Sequence, residues 1–214
     1  MTQLTERYTR AVDYARTAHA THYRKGTAIP YLYHLLGVSS MVLEYGGDED
    51  QAIAGLLHDV LEDCGHEHDA RIEAAFGPGV IAIVRDCTDG TAGDKATATT
   101  PEAKRADWQR RKLAYLAHLA DEPEASLLVG ACDKLHNARA IVGDLEGAAG
   151  AAVFERFTAG RDGTLRYYEA IAVLLKRRAP GAGNPRFGEL VDAFDRTVAR
   201  MHALAGAATR EALA

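Results

Sequence analysis

Apolar positions spaced three and four apart run through almost every segment of this chain, and that period is helical. Residues 8–22 predict a first helix, with Val12, Ala15, Ala18 and His19 on one side. Gly26 frees the backbone in the loop RKGTAIP, and Pro30 marks the entry to a helix over 31–45 that stops at Gly46-Gly47. Asp48 can cap a third helix over 48–63, with Gly65 beyond its end. A short helix over 69–76 stops at the run GPG, and Ile81, Ile83 and Val84 predict another over 80–87. Pro101 opens a helix to about residue 119, and Asp121-Glu122-Pro123 separates it from a long one over 124–145. That helix carries Leu128, Cys132, Leu135 and Arg139 on one strip. Further helices are predicted over 148–158, over 165–178 after a turn at AGRDG, and from Pro185 towards residue 209.

The pattern predicts an all-α fold with no internal repeat: one helical domain over 1–178, with the C-terminal helix of 179–214 packed on it. Residues 88–100 hold two glycines, five threonines and little to bury, so they read as the least ordered segment, near a binding site or on the surface.

Composition narrows the class. The 214 residues are 47% hydrophobic, enough for a core without disulfides, and the three cysteines match no metal-knuckle or redox spacing. The expected compartment is the cytoplasm: the N-terminus lacks a signal-peptide core, and no apolar run approaches the length of a membrane span. A net charge of −5 argues against a nucleic-acid surface. The oligomeric state stays open, because the stripe Leu190, Phe194, Val198 and Met201 could cover the core or form an interface.

The chemistry gathers in AIAGLLHDVLEDCG. An apolar helix runs straight into His58 and Asp59, with Glu62 and Asp63 close behind. A core does not tolerate that charge density without a partner, and a divalent cation is the simplest one. Adjacent residues cannot share one ideal helix face, but they can converge on an ion at a helix end. Asp133 interrupts the long apolar helix, and His34 sits among apolar residues in PYLYHLLG. Each alone also reads as an ordinary core or network residue. Together, two imidazoles and two carboxylates suit Mn²⁺, Fe²⁺ or Zn²⁺ better than an all-oxygen Ca²⁺ or Mg²⁺ shell.

With HATHYRKG, IPYLYH, LLHDVLEDC, FGPGV, CTDG and DKLHNARAI in order, the chain resembles the HD-domain phosphohydrolases. More narrowly, it resembles the hydrolase domain of RelA/SpoT-type proteins and the small alarmone hydrolases. The resemblance implies an all-helical fold, a manganese ion held by His34, His58, Asp59 and Asp133, and Glu62 and Asp63 assisting the attacking water. It implies removal of pyrophosphate from the ribose 3′ position of guanosine tetra- or pentaphosphate. Arg24 and Lys25 would face the nucleotide, and Asn137 would contact its ribose. His19 could order the loop or touch the ligand, and Tyr31 could pack on sugar or base; helix packing and a core role are the competing readings. Arg111 and Lys112, near Trp108, could hold phosphate or belong to an ordinary amphipathic helix.

The chain departs from the family at Leu35, where proline is usual, at His22-Tyr23, and in the long run after Asp89. These departures leave the metal residues intact and bear on the substrate. The alternatives to an alarmone hydrolase are a nucleotidase or phosphodiesterase of the same superfamily and a non-catalytic nucleotide-binding protein. No synthetase domain is expected.

Overall fold

A computed structural model describes residues 2–88 and 100–213, and among these the secondary structure is helical, with no strand beyond an isolated bridge from Tyr23 to Pro30. The reading of residues 88–100 as a poorly ordered segment falls almost wholly outside the described residues. Tertiary contacts group the chain into two compact units, Met1–Lys95 with Glu122–Asp133, and Ala96–Asp121 with Lys134–Ala214.

The first unit is built around a helix buried on every side. It contains α1 (Glu6–Ala18), α2 (Leu32–Glu44), α3 (Glu49–Leu57), α4 (Val60–Asp63), α5 (His68–Phe76) and α6 (Pro78–Cys87). Residues Ala52 to Leu57 of α3 are all buried, and α1, α2 and α6 pack around them. A helix apolar all round belongs in a core, and α3 is that core. Small residues let its neighbours close in. A Cβ on Gly55 would lie 3.2 Å from the Ser39 Cα on α2, and the Ser39 hydroxyl donates to the Ala52 carbonyl at 2.8 Å.

Capping fixes where α3 begins. The Asp48 carboxylate accepts from the Gln51 amide N–H at 2.9 Å, and the Gln51 side chain accepts from the Asp48 N–H at 2.9 Å. This reciprocal box satisfies two amides that the helix start would otherwise leave bare. The turn before it is tight, since a Cβ on Gly47 would fall 2.9 Å from the Val42 carbonyl oxygen. Arg7 of α1 then ties the box to α5, bonding Glu49 at 3.2 Å, Asp50 at 2.8 Å and the Phe76 carbonyl at 2.7 Å.

The start of α8 (Glu124–Glu146) completes this unit. Ser126 donates to Asp86 at 2.6 Å and the Gln51 amide to the Ala125 carbonyl at 3.2 Å, fixing it against α6 and α3. Leu127, Leu128, Val129, Ala131 and Cys132 are buried, and Asp133 follows them.

The second unit holds α7 (Pro101–Asp121), the remainder of α8, α9 (Gly160–Arg178) and α10 (Phe187–Leu204). Apolar stripes of α9 and α10 face each other, with Tyr168 and Phe194 rings 6.2 Å apart. Trp108 of α7 meets Tyr167 of α9 edge-on at 5.9 Å. The Arg178 guanidinium closes the end of α7 by donating to the Leu119 and Ala120 carbonyls.

Five boundaries differ from the sequence expectation. The helix expected over 8–22 is α1, which ends at Ala18. The helix expected over 48–63 breaks at His58–Asp59 into α3 and α4. The helix expected over 148–158 is a 3₁₀ segment, Gly150–Arg156. Residues 160–163, expected as a turn, form the first turn of α9; Gly160, at φ 63°, makes the sharp entry. The last helix ends at Leu204, short of 209.

Asp48→Ala should cost about 1 kcal/mol of stability, read as a lowered urea midpoint at unchanged slope. An unchanged midpoint would mean that the box contributes nothing.

Candidate metal centre

The break in the third helix creates the site. His58 closes α3 in helical conformation, but Asp59 turns aside at φ −95° and ψ −2°, and α4 starts one residue later. In a straight helix, adjacent side chains point about 100° apart. The break instead brings His58 Nε2 within 3.0 Å of Asp59 Oδ2. His34 on α2 presents its Nε2 3.7 Å from Asp59 Oδ2 and 3.1 Å from Asp133 Oδ1, and His58 Nε2 lies 3.6 Å from Asp133 Oδ1. The structure thus brings His34, His58, Asp59 and Asp133 together, all within the first unit.

The His58 tautomer is set by its surroundings. A carbonyl only accepts, so the 2.9 Å contact between Nδ1 and the Gly55 oxygen makes Nδ1 the donor. In the neutral ring, Nε2 then offers a lone pair. That nitrogen is buried and has no hydrogen-bond partner among the described residues, although a carboxylate lies 3.0 Å away. Ligand atoms about 2.1 Å from a shared ion would lie about 3.0 Å apart at right angles and about 3.4 Å apart at the tetrahedral angle. The observed spacings of 3.0 to 3.7 Å span that range, so the donor set fits a divalent metal.

Charge tells the same story. Burial pulls the His58 imidazolium down, but Asp59 and Asp133 outweigh it and hold its pKa well above the ordinary histidine value. Burial likewise pushes Asp59 up, but His58 and His34 hold it well below the usual carboxylate range. The pocket favours positive charge in contact with its carboxylates.

Tyr31 supports the centre from outside. Its hydroxyl donates to Asp59 Oδ2 at 2.6 Å, and burial, then the Asp59 charge, push the phenol far above its ordinary pKa. It therefore stays a donor. From the sequence Tyr31 reads as packing on sugar or base or within the core, and nothing in the local pattern pairs it with a side chain 28 positions on.

The other expected residues are distributed as follows. Glu62 is half-buried and Asp63 exposed, both on α4. Asp63 closes one helical turn on Asp59, its N–H bonding the Asp59 carbonyl at 2.9 Å, and its charge reaches Tyr31. The helix break intervenes between His58 and Glu62, so their spacing of four does not by itself put them on one helix face. The Arg24 guanidinium lies 5.7 Å from the centre of the Tyr31 ring, and Lys25 is exposed beside it. His19 is buried and stacked on Tyr31 at 5.0 Å; burial lowers its pKa to about 4.

Asn137, Arg111 and Lys112 belong to the second unit. Asn137 follows Asp133 by one turn of α8. The Arg111 guanidinium bonds Asp107 at 3.0 Å, and the Lys112 ammonium lies 5.1 Å from the centre of the Tyr167 ring.

Comparison with known proteins places this geometry. A model of the HD domain matches residues 11–165, a span that includes all four residues of the cluster. A guanosine-3′,5′-bis(diphosphate) 3′-pyrophosphohydrolase from Xenopus tropicalis is 34% identical over 132 residues, covering 60% of this chain and 66% of that protein. A probable enzyme of the same name from Synechocystis is 31% identical over 132 residues, covering 62% of this chain and 16% of that protein. The chain thus spans less than two thirds of the length of either relative. Among solved structures, a metazoan ortholog of SpoT that hydrolyses ppGpp superposes with a TM-score of 0.64 at 23% identity, covering 92% of this chain and 97% of that one. A Listeria monocytogenes protein superposes with a TM-score of 0.59 at 25% identity, covering 81% and 99%.

A cation entering this cluster must displace a proton from His58. Mn²⁺ affinity should therefore rise with pH, by up to about tenfold per unit while that proton is held, with matching proton release in calorimetry. Tyr31→Phe should weaken Mn²⁺ binding about 10- to 100-fold by freeing Asp59. A pH-independent affinity, or a Tyr31→Phe protein that binds as tightly as the parent, would contradict this assignment. The helical fold, the broken helix carrying His58-Asp59 and the matched span lead to one conclusion: the chain belongs to the HD domain family.

Proposed function

We propose that this chain is a divalent-metal phosphohydrolase that removes pyrophosphate from the 3′ position of guanosine 3′,5′-bis(diphosphate), with Mn²⁺ as the preferred ion. The observation that carries the reading is the cluster of His34, His58, Asp59 and Asp133, at 3.0 to 3.7 Å. The relatives named as 3′-pyrophosphohydrolases support the substrate.

Hydrolysis needs an activated water, a proton acceptor and positive charge around the phosphates. A bound divalent ion supplies Lewis-acid polarisation of a phosphoryl oxygen and lowers the pKa of water. The side chains supply the rest. His58 is oriented through Nδ1 by the Gly55 carbonyl, and Tyr31 holds Asp59 in place. Glu62 takes the proton of the attacking water as its oxygen bonds to phosphorus, with Asp63 sharing that task. The ribose 3′ oxygen leaves with the bonding pair and gains a proton, giving guanosine diphosphate and pyrophosphate. Arg24 and Lys25 draw the phosphates by charge, and Tyr31 and His19 wall the approach. Asn137 is assigned to the ribose, and Arg111 and Lys112 are secondary phosphate contacts.

The departures at His22-Tyr23 and Leu35 carry the second reading, a related nucleotidase or phosphodiesterase.

Glu62→Gln should lower kcat about 10²- to 10⁴-fold while leaving Mn²⁺ affinity unchanged. Arg24→Ala should raise KM about tenfold or more, the loss of one charge-assisted contact. Both are read with guanosine tetraphosphate and chromatographic separation of products. Orthophosphate in place of pyrophosphate would move the assignment to the second reading. An unimpaired Glu62→Gln enzyme would remove Glu62 from the mechanism.

A further inference from the structure

A second group of metal-type donors lies beside the first, and of its three residues only His19 enters the reaction above, as a wall of the approach. His19 follows the last residue of α1, His22 comes three residues later, and Cys64 closes α4. One ligand atom from each lies within 4.8 Å of the other two. His19 Nδ1 is 3.0 Å from His22 Nδ1, and its other ring nitrogen, Nε2, is 3.6 Å from Cys64 Sγ; a shared ion takes one of these two nitrogens, with the third donor within 4.8 Å. His19 is buried, while His22 and Cys64 are half-buried, so the group is accessible from solvent on one side. Two ring nitrogens 3.0 Å apart share one proton, so the N–H of one donates to the lone pair of the other, and an ion bound there takes the place of that proton.

The donors differ in kind from those of the first centre. There are two imidazoles, one sulfur and no carboxylate. A thiolate with two imidazoles suits Zn²⁺, whereas carboxylate and mixed sets accommodate Mn²⁺. We infer that His19, His22 and Cys64 form a second metal site, specific for a thiophilic divalent ion of the zinc class and separate from the His34–His58–Asp59–Asp133 centre. Three protein ligands leave zinc a fourth position for water or another donor. Binding replaces the Cys64 thiol proton, which passes to solvent, so one proton leaves per ion. The thiol donates to the Ala18 carbonyl at 3.4 Å, a weak bond that coordination would replace. The two sites share a wall, because the His19 ring stacks on Tyr31 at 5.0 Å and Tyr31 bonds Asp59. An ion on His19 therefore also fixes the side chain that orients Asp59.

Cobalt is the direct probe, since a Co²⁺–thiolate bond gives a near-ultraviolet charge-transfer band that a histidine–carboxylate site cannot give. The full chain should bind two equivalents of Co²⁺ and show that band. Cys64→Ser and His22→Gln should each lose the band and one equivalent, and keep the other. A single equivalent in the parent protein, or a band that survives Cys64→Ser, would overturn the site. A second measurement needs no variant. Zn²⁺ should slow iodoacetamide alkylation of Cys64, followed by peptide mass spectrometry, about tenfold or more, while Mn²⁺ leaves it unchanged. Equal alkylation rates with and without Zn²⁺ would also overturn it.

Discussion

Two imidazoles and two carboxylates meet at the buried end of α3, and the first unit is arranged around that crowding. Buried charge is costly unless it is matched, and here each charge is matched twice over. Asp59 and Asp133 hold His58 positive, while His58 and His34 hold Asp59 negative. A single cation could replace those protons and keep every oxygen and nitrogen satisfied. The rest of the unit fixes the positions of the four groups. Six consecutive buried residues anchor α3, the Asp48–Gln51 box sets its start, and Ser126 and Gln51 fasten the start of α8 that ends on Asp133.

Tyr31 joins this centre to its surroundings. It bonds a carboxylate of the cluster, stacks on His19 and lies near the Arg24 guanidinium. A residue with three such contacts couples the loop at 24–30 to the position of Asp59. The loop itself is pinned by backbone bonds, Arg24 N–H to the Ile29 carbonyl at 2.8 Å and Tyr31 N–H to the His22 carbonyl at 2.9 Å. Rigidity there is what a precise metal centre requires of its outer partners.

Much of this was legible in the sequence, for identifiable reasons. The helices of the core announce themselves by period, and Asp48, Gly46-Gly47, Pro78 and Pro101 mark their ends by local chemistry. The residues of the cluster stood out because charge interrupts apolar runs at His34, His58-Asp59 and Asp133. The break between α3 and α4 was not legible: residues 48–63 contain no glycine or proline where the backbone turns at Asp59. Tertiary demand from the cluster overrides helix propensity at that point. The 3₁₀ form of Gly150–Arg156 was hidden for a similar reason, since short apolar runs do not distinguish helix types. His19 and His22 at a spacing of three were visible, but Cys64 stands 45 positions from His19, and only the fold brings it near.

The proposed function requires these four side chains to hold one ion. Its most direct test is a crystal of the protein grown with Mn²⁺ and measured for anomalous scattering at the manganese edge. One strong peak is expected about 2.0–2.2 Å from His34 Nε2, His58 Nε2, Asp59 Oδ2 and Asp133 Oδ1. Full manganese occupancy with the anomalous peak elsewhere, or with any of the four residues turned away from it, would contradict it.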